Sequence, residues 1–147
     1  MIKNGFTIVE LLVAVAILFA LVVASAAVFM TYERSFRVSG EVNELVDDLR
    51  YAKQMSISEQ VHHGIEFDFS ENSYILARYG EEREELKVKN LADGVLMEDI
   101  DIGPEVRFTL FGAVFGSGDL AMHGDDFSKI IKIKPSGYIN VERSNVN

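Results

Sequence analysis

Residues 3–30 read KNGFTIVELLVAVAILFALVVASAAVFM, and this stretch decides how the chain is organised. From Leu11 to Met30 the only polar side chain is that of Ser25. A helix of about twenty residues is about 30 Å long, which matches the hydrocarbon core of a bilayer. The stretch therefore predicts a helix that can span a membrane.

Charge is distributed very unevenly along the chain. The protein has 147 residues, a net charge of -9 and no cysteine. Before Glu33 only Lys3 and Glu10 are charged, so residues 33–147 carry the whole net charge. The sequence predicts an apolar N-terminal rod followed by an acidic soluble domain. The absence of cysteine excludes disulfides, thiolate metal sites and a cysteine nucleophile. The acidic balance argues against binding to nucleic acid through its phosphates.

A secretory signal peptide is the alternative interpretation of the apolar stretch. Ala24-Ser25-Ala26 has the small residues of a signal-peptidase site, and cleavage there would release a secreted β-domain that acts as a binding module. Against this stand the single Lys3, the carboxylate of Glu10 at the start of the apolar run, and three apolar residues, 28–30, after the cut. The basic residues Arg34 and Arg37 by themselves favour a cytoplasmic C-terminal domain.

The N-terminal motif gives a more specific prediction. Residues 3–18, KNGFTIVELLVAVAIL, resemble the N-terminus of type IV pilins and type II secretion pseudopilins. The resemblance implies that a membrane prepilin peptidase cleaves between Gly5 and Phe6 and that the new amine of Phe6 is N-methylated. It also implies a single-pass protein of the bacterial inner membrane with a periplasmic C-terminal domain, against the count of basic residues. The implied partners are other pilin or pseudopilin subunits, the peptidase, the inner-membrane assembly platform and the lipid bilayer.

Glu10 is the residue most in need of a functional explanation. An ionised carboxylate at the edge of hydrocarbon costs several kcal/mol unless it is paired or neutralised. Removal of the leader discards Lys3 and creates one cation, the amine of Phe6. We expect Glu10 to pair with this amine, within the chain or in a neighbouring filament subunit. The alternative is that Glu10 only extends to the membrane interface.

The region after Tyr32 changes to an amphipathic pattern. Apolar residues recur at intervals of three and four, at Val38, Val42, Leu45, Leu49 and Ala52. The pattern predicts one helix over about residues 6–58, with Gly40 as a possible soft point because glycine costs roughly 1 kcal/mol in a helix interior.

After His63 the apolar residues alternate, which predicts β-strands. The first alternation runs through Ile65, Phe67 and Phe69, and glycines and Pro135-Ser136-Gly137 separate the later strands. We expect an acidic loop at Gly80–Glu85 and strands at residues 74–79, 86–89, 95–102, 106–111, 120–122, 127–134 and 138–142.

These elements predict an α+β fold, in which a long N-terminal helix packs on a C-terminal β-sandwich. The predicted parts are a leader (1–5), a transmembrane helix (6–32), an amphipathic stem helix (33–60) and a β-rich soluble domain (61–147). Three segments resemble those of GspH/FimT-type minor pseudopilins and minor pilins. They are the strand that begins near Val61 and residues 107–112 and 130–139. This resemblance implies a pilin-like fold.

No motif in the sequence predicts catalysis, a cofactor or a metal. His62, His63 and His123 lack a second cluster at a ligand spacing, so surface or turn roles are expected. The glycine-rich segment 112–118 lacks the lysine of a phosphate loop. The charged run Glu81–Glu85 predicts a solvated loop, with an acidic contact to a neighbouring subunit as the alternative. We therefore do not expect an enzyme.

The leading functional hypothesis is a minor pseudopilin at or near the tip of a type II secretion pseudopilus, which helps to initiate the filament. The near alternative is a minor type IV pilin in pilus assembly, adhesion, motility or DNA uptake. DNA uptake is disfavoured because Tyr138-Ile139-Asn140 stand where the family's DNA-binding members have arginines, and Arg143 is alone.

Overall fold

One helix dominates the fold. The computed structural model describes residues 7–124 and 127–144, and their side chains except those of 26–35 and 144. Helix α1 extends over Ile8–Glu59, 52 residues. It ends where Gln60 adopts a left-handed backbone conformation with φ 56°, a common way for a helix to stop. The Gln60 side chain donates from Nε2 to the Ile57 carbonyl at 2.8 Å, which satisfies one of the last carbonyl groups.

The chain divides into two compact units, Met1–Glu33 and Arg34–Asn147. In the first unit, Ile8–Ser25 is long and apolar enough to cross a membrane, with a mean hydropathy of 2.8 and no buried side chain. In the described part of this helix, the Ser25 hydroxyl donates to the Leu21 carbonyl at 2.8 Å. This bond satisfies a polar group within the apolar stretch, as serine does in membrane helices.

Within the residues that the structure describes, the second unit consists of the rest of α1 and nine strands. Their pairings are all antiparallel. One sheet has the order β3-β2-β1-β5-β6 and the other the order β4-β7-β8-β9. The strands are β1 (His62–Asp68), β2 (Ser73–Tyr79), β3 (Arg83–Asn90), β4 (Leu96–Asp99), β5 (Glu105–Phe108), β6 (Val114–Phe115), β7 (Gly118–His123), β8 (Ser128–Ile133) and β9 (Ile139–Ser144).

The core of this unit is formed by one face of the helix and inward residues of both sheets. All five apolar residues that the sequence pattern placed on one face of the stem, from Val38 to Ala52, are buried. In the first sheet, Ile65 lies opposite both Leu76 and Val106, and in the second Leu120 lies opposite Ile131. A fully buried side chain of this size contributes about 1.5 to 3 kcal/mol. The predicted α+β class, a long N-terminal helix with a sheet-rich domain, is confirmed.

The predicted acidic loop is shorter than expected, because β3 begins at Arg83 rather than at Leu86. The guanidinium of Arg83 donates to both carboxylate oxygens of Glu66, at 2.8 and 2.6 Å. It also donates to Glu85 at 2.8 Å. The charges from Arg83 to Glu85 are therefore paired along and across the strands, so the second half of a run that looks like a solvated loop extends the sheet.

Strand β6 was not predicted, since Val114–Phe115 lies inside the segment interpreted as a glycine-rich turn. Positive φ angles at Gly112 and Gly116 bend the chain on either side of this two-residue strand. Its partner β5 ends at Phe108, so the predicted strand 106–111 is too long. Val114 donates its backbone N–H to the Pro135 carbonyl at 3.0 Å, a contact that the local sequence pattern does not reveal.

Candidate functional site

The three predicted site residues lie at the N-terminal end of the chain. Gly5 and Phe6 lie outside the described residues, so the predicted cleavage and methylation positions have no structural description here. Glu10 lies in the first turn of α1 and is exposed. Thr7, immediately before the helix, is the residue that contacts it.

Thr7 and Glu10 form a reciprocal cap on the helix. The Glu10 backbone N–H donates to the Thr7 hydroxyl oxygen at 3.2 Å. One carboxylate oxygen of Glu10, Oε2, accepts from the Thr7 backbone N–H and from the Thr7 hydroxyl, both at 3.1 Å. This is a capping box, in which two backbone N–H groups that the helix leaves unpaired receive side-chain partners.

The cap explains part of why a carboxylate is tolerated at this position. An anion is favourable at a helix N-terminus, where the unpaired N–H groups carry a partial positive charge. Sequence reasoning missed Thr7, although its spacing from Glu10 is that of the capping-box pattern and could have identified it. The second oxygen of Glu10, Oε1, accepts no hydrogen bond from any described residue, so it can accept one from another group.

The helix behind this cap is apolar on all sides. Its large side chains from Ile8 to Val23 are more than half exposed in the isolated chain. Exposed apolar surface on this scale is stable only against lipid or against other protein chains. The N-terminal segment therefore combines one capped carboxylate with a continuous apolar surface.

The three histidines lie in separate environments. His62 contacts the Phe108 carbonyl through Nδ1 at 2.8 Å. His123 lies 3.8 Å from Glu98. His63 is fully buried, so the surface or turn role expected for it is wrong. Its Nδ1 donates to the Val61 carbonyl at 2.9 Å, and its Nε2 lies 3.4 Å from a Glu59 carboxylate oxygen. Among residues 7–124 and 127–144, no three potential metal ligands cluster.

Known proteins resemble this chain in two ways. The model of the prokaryotic N-terminal methylation motif matches residues 1–26. Two solved proteins resemble the fold. One is the minor pseudopilin EpsH of the type 2 secretion system of Vibrio cholerae, with 10% identity over 73% of this chain and 97% of that one, and a TM-score of 0.62. The other is the type IV minor pilin FimU of Pseudomonas aeruginosa PAO1, with 15% identity over 78% and 92%, and a TM-score of 0.60.

A second crystal form of FimU gives 14% identity over 71% of this chain and 90% of that chain, with a TM-score of 0.57. None of the curated proteins matches the chain. At these identities the solved structures establish the fold, and the motif match is independent of them. The chain thus carries the prokaryotic N-terminal methylation motif in residues 1–26, followed by a fold similar to those of the minor pseudopilin EpsH and the minor pilin FimU.

Proposed function

We propose that this protein is a minor pseudopilin of a type II secretion system, a structural subunit at or near the pseudopilus tip that helps to initiate the filament. The observation that carries the proposal is a capped carboxylate, Glu10, at the start of an exposed apolar helix that bears the methylation motif. The proposed role is purely structural, without catalysis or a cofactor. The protein crosses the inner membrane once, and its C-terminal domain lies in the periplasm.

Maturation supplies the charge that Glu10 needs. The prepilin peptidase cleaves between Gly5 and Phe6, and the new amine of Phe6 is N-methylated. The carboxylate already binds Thr7 through Oε2, which leaves Oε1 available for the Phe6 amine of a neighbouring subunit. A buried amine and carboxylate are each costly in lipid, so docking them together favours one axial position of one helix against the next.

The test compares wild type with three variants in cells that contain the peptidase and the assembly platform. Glu10→Gln removes the charge but keeps an oxygen that can cap Thr7, since glutamine also serves in capping boxes. Glu10→Ala removes both. Thr7→Ala weakens the cap and keeps the charge, so it is the matched control. The readouts are N-terminal sequencing and crosslinking of membranes to measure filament incorporation.

All four chains are expected to begin at methylated Phe6, because none of the changes alters the cleavage bond. Incorporation of Glu10→Gln and Glu10→Ala should fall roughly tenfold or more, the effect of losing about 1.4 kcal/mol. Thr7→Ala should retain most incorporation. A mature chain that starts at Ala27 or Val28 would contradict the pilin-like processing. Undiminished incorporation of Glu10→Gln would mean that the carboxylate only caps the helix.

A minor type IV pilin is the second candidate, favoured by the comparable likeness to FimU. Both candidates use the same motif, helix and peptidase, and differ in the machine that they serve. Deletion of the gene separates them: lost secretion of folded proteins with intact pili supports the pseudopilin, and lost pili with intact secretion supports the pilin.

A further inference from the structure

A groove lies beside the C-terminal part of α1 in the soluble domain. It has a volume of about 390 Å³. Arg50, Lys53 and Ile57 of α1 line one side, and Ser136 and Tyr138 of the turn between β8 and β9 line the other. We call it the helix-end groove.

Two glycine turns fix the shape of the helix-end groove. A Cβ atom on Gly137 would lie 1.9 Å from the Gly112 carbonyl oxygen, and one on Gly112 would lie 2.9 Å from Cε of Lys53. The Lys53 ammonium donates to the Gly137 carbonyl at 3.0 Å. The two turns therefore meet through their backbones and the helix meets them through the Lys53 side chain, so the groove is a formed surface rather than a gap between loose loops.

Large apolar side chains are exposed around this groove. Phe111, next to Gly112, is 90% exposed, Tyr138 is 57% exposed and Ile57 is 38% exposed. A nearly fully exposed phenylalanine on a well-packed turn gains free energy when a partner covers it. Exposed apolar groups gathered beside a groove commonly mark an interaction site.

The groove also concentrates positive charge on an acidic protein. Arg50 and Lys53 lie in it, and the Lys134 ammonium is 5.7 Å from the centre of the Tyr138 ring. Among the described residues, the only ion pair to these three cations is that of Asp47 with Arg50, at 3.4 Å. The chemistry therefore fits an acidic segment.

The chain itself carries such a segment, at the turn between β2 and β3. Glu81 and Glu82 are exposed there and form no ion pair with any described residue. Across β1, His62 lies opposite Tyr79 and His63 lies opposite Phe108. The acidic turn after β2 and the Phe111 turn after β5 therefore leave the same end of the sheet at opposite sides of β1.

We infer that the helix-end groove receives the acidic β2–β3 turn of a second copy of this chain, an inference that rests on the proposed assembly function. Groove and turn are different parts of one domain, so the cations of one copy meet the carboxylates of the other.

The absence of cysteine allows a clean crosslinking test in membranes with the full-length chain. One copy carries Glu82→Cys and a second, differently tagged copy carries Ser136→Cys. Mild oxidation should link the two copies. The control is Glu71→Cys, an exposed glutamate in the turn between β1 and β2, where the chain leaves the other end of the sheet. Its yield with Ser136→Cys should be roughly tenfold lower.

Charge exchange gives the second measurement. Glu81→Lys with Glu82→Lys in both of two differently tagged copies should reduce their co-purification. Adding Arg50→Glu with Lys134→Glu to both copies should restore it. Restoration is the result that a merely misfolded variant cannot give.

The crosslinking test distinguishes a failure of this inference from a failure of the proposed function. A chain that is processed at Phe6 and enters filaments, but gives no link between positions 82 and 136, overturns this inference and leaves the proposed function standing. If the Ser136→Cys copy links to a different protein, the groove does not bind a second copy of this chain and the inference is wrong. A chain that is not processed at Phe6 overturns the proposed function, and the pair of cysteines still reports on the contact between copies.

Discussion

Gly112 and Gly137 matter because each lacks a side chain where another segment lies close. Both have positive φ angles, 82° and 72°. The φ angle alone makes any other residue strained, at a cost of about 1 to 3 kcal/mol. The short approach of Gly137 to the Gly112 carbonyl adds a steric clash with backbone, which cannot move aside like a flexible side chain. Gly137 therefore has two separate reasons to be glycine.

Replacing Gly137 by alanine should destabilise the protein more than the same change at Gly94. Gly94 has a similar φ of 81°, but nothing lies within 4 Å of its Cβ position. Gly94→Ala should cost about 1 kcal/mol in the free energy of unfolding, and Gly137→Ala about 3 kcal/mol or more. Urea unfolding of both variants measures the difference. Equal losses would mean that strain in φ is the whole cost.

Strand β3 shows how a polar edge strand holds the helix. Lys87 contacts Glu44 and Asp48 of α1 at 2.9 and 2.7 Å. Lys89 contacts Glu44 at 2.6 Å. Hydrogen bonds from Lys89 and then Lys87 hold the pKa of the Glu44 carboxyl below its ordinary value of 4.5. These charges link helix and sheet outside the apolar core, at an edge where lysines also discourage unwanted strand pairing.

Acid should weaken this link in a defined pH range. The pKa of Glu44 is lower in the folded state, so its contribution to stability is present above pH 4.5 and is lost as the pH falls through the lowered pKa. Glu44→Gln should cost about 0.5 to 1 kcal/mol at pH 7, since the side chain is 38% exposed. The variant should then lose less stability than wild type on going from pH 5 to pH 3.

Urea unfolding at both pH values measures this effect. The control is Glu71→Gln, because Glu71 is exposed in the turn after β1 and forms no ion pair within the described part of the chain. Its stability should follow that of wild type at each pH. If Glu44→Gln loses as much stability as wild type between pH 5 and pH 3, other carboxylates cause the loss. Glu66 is one such group, because hydrogen bonds from Arg83 lower its pKa.

Buried and exposed apolar side chains are separated between the two units of the molecule. Among the described side chains, the buried apolar core lies in the unit Arg34–Asn147, from Val38 to Ile133. The described side chains of the first unit, from residue 7 to residue 25, are exposed and almost entirely apolar. The unit Arg34–Asn147 therefore has what it needs to fold by itself, and the N-terminal helix presents an apolar surface that this core does not use.

A fragment that begins at Glu33 should be soluble and folded, because its core is complete without the apolar helix. Its circular dichroism should combine strand with one helix. It should not form filaments alone, since the apolar surface of residues 8–25 is absent, although its groove and acidic turn can still join two copies. Circular dichroism and sedimentation velocity measure these properties. A predominantly helical spectrum, or filaments of the fragment, would contradict this division between the two units.

Local patterns in the sequence predicted the α+β class, the long helix and most strands, because the periods of helix and strand are properties of neighbouring residues. The N-terminal motif predicted the pilin-like character for the same reason, since its residues are contiguous. The roles of Gly5, Phe6 and Glu10 stay predictions, and the cap between Thr7 and Glu10 gives Glu10 a second contact.

Tertiary structure decided the features that depend on residues far apart in the chain. Strand β6 exists because Val114 meets both β5 and Pro135, and β3 begins early because Arg83 meets Glu66. The helix-end groove exists because Gly137 packs on Gly112 and accepts a hydrogen bond from Lys53. These contacts join segments that no local period relates, so only the folded chain brings them together.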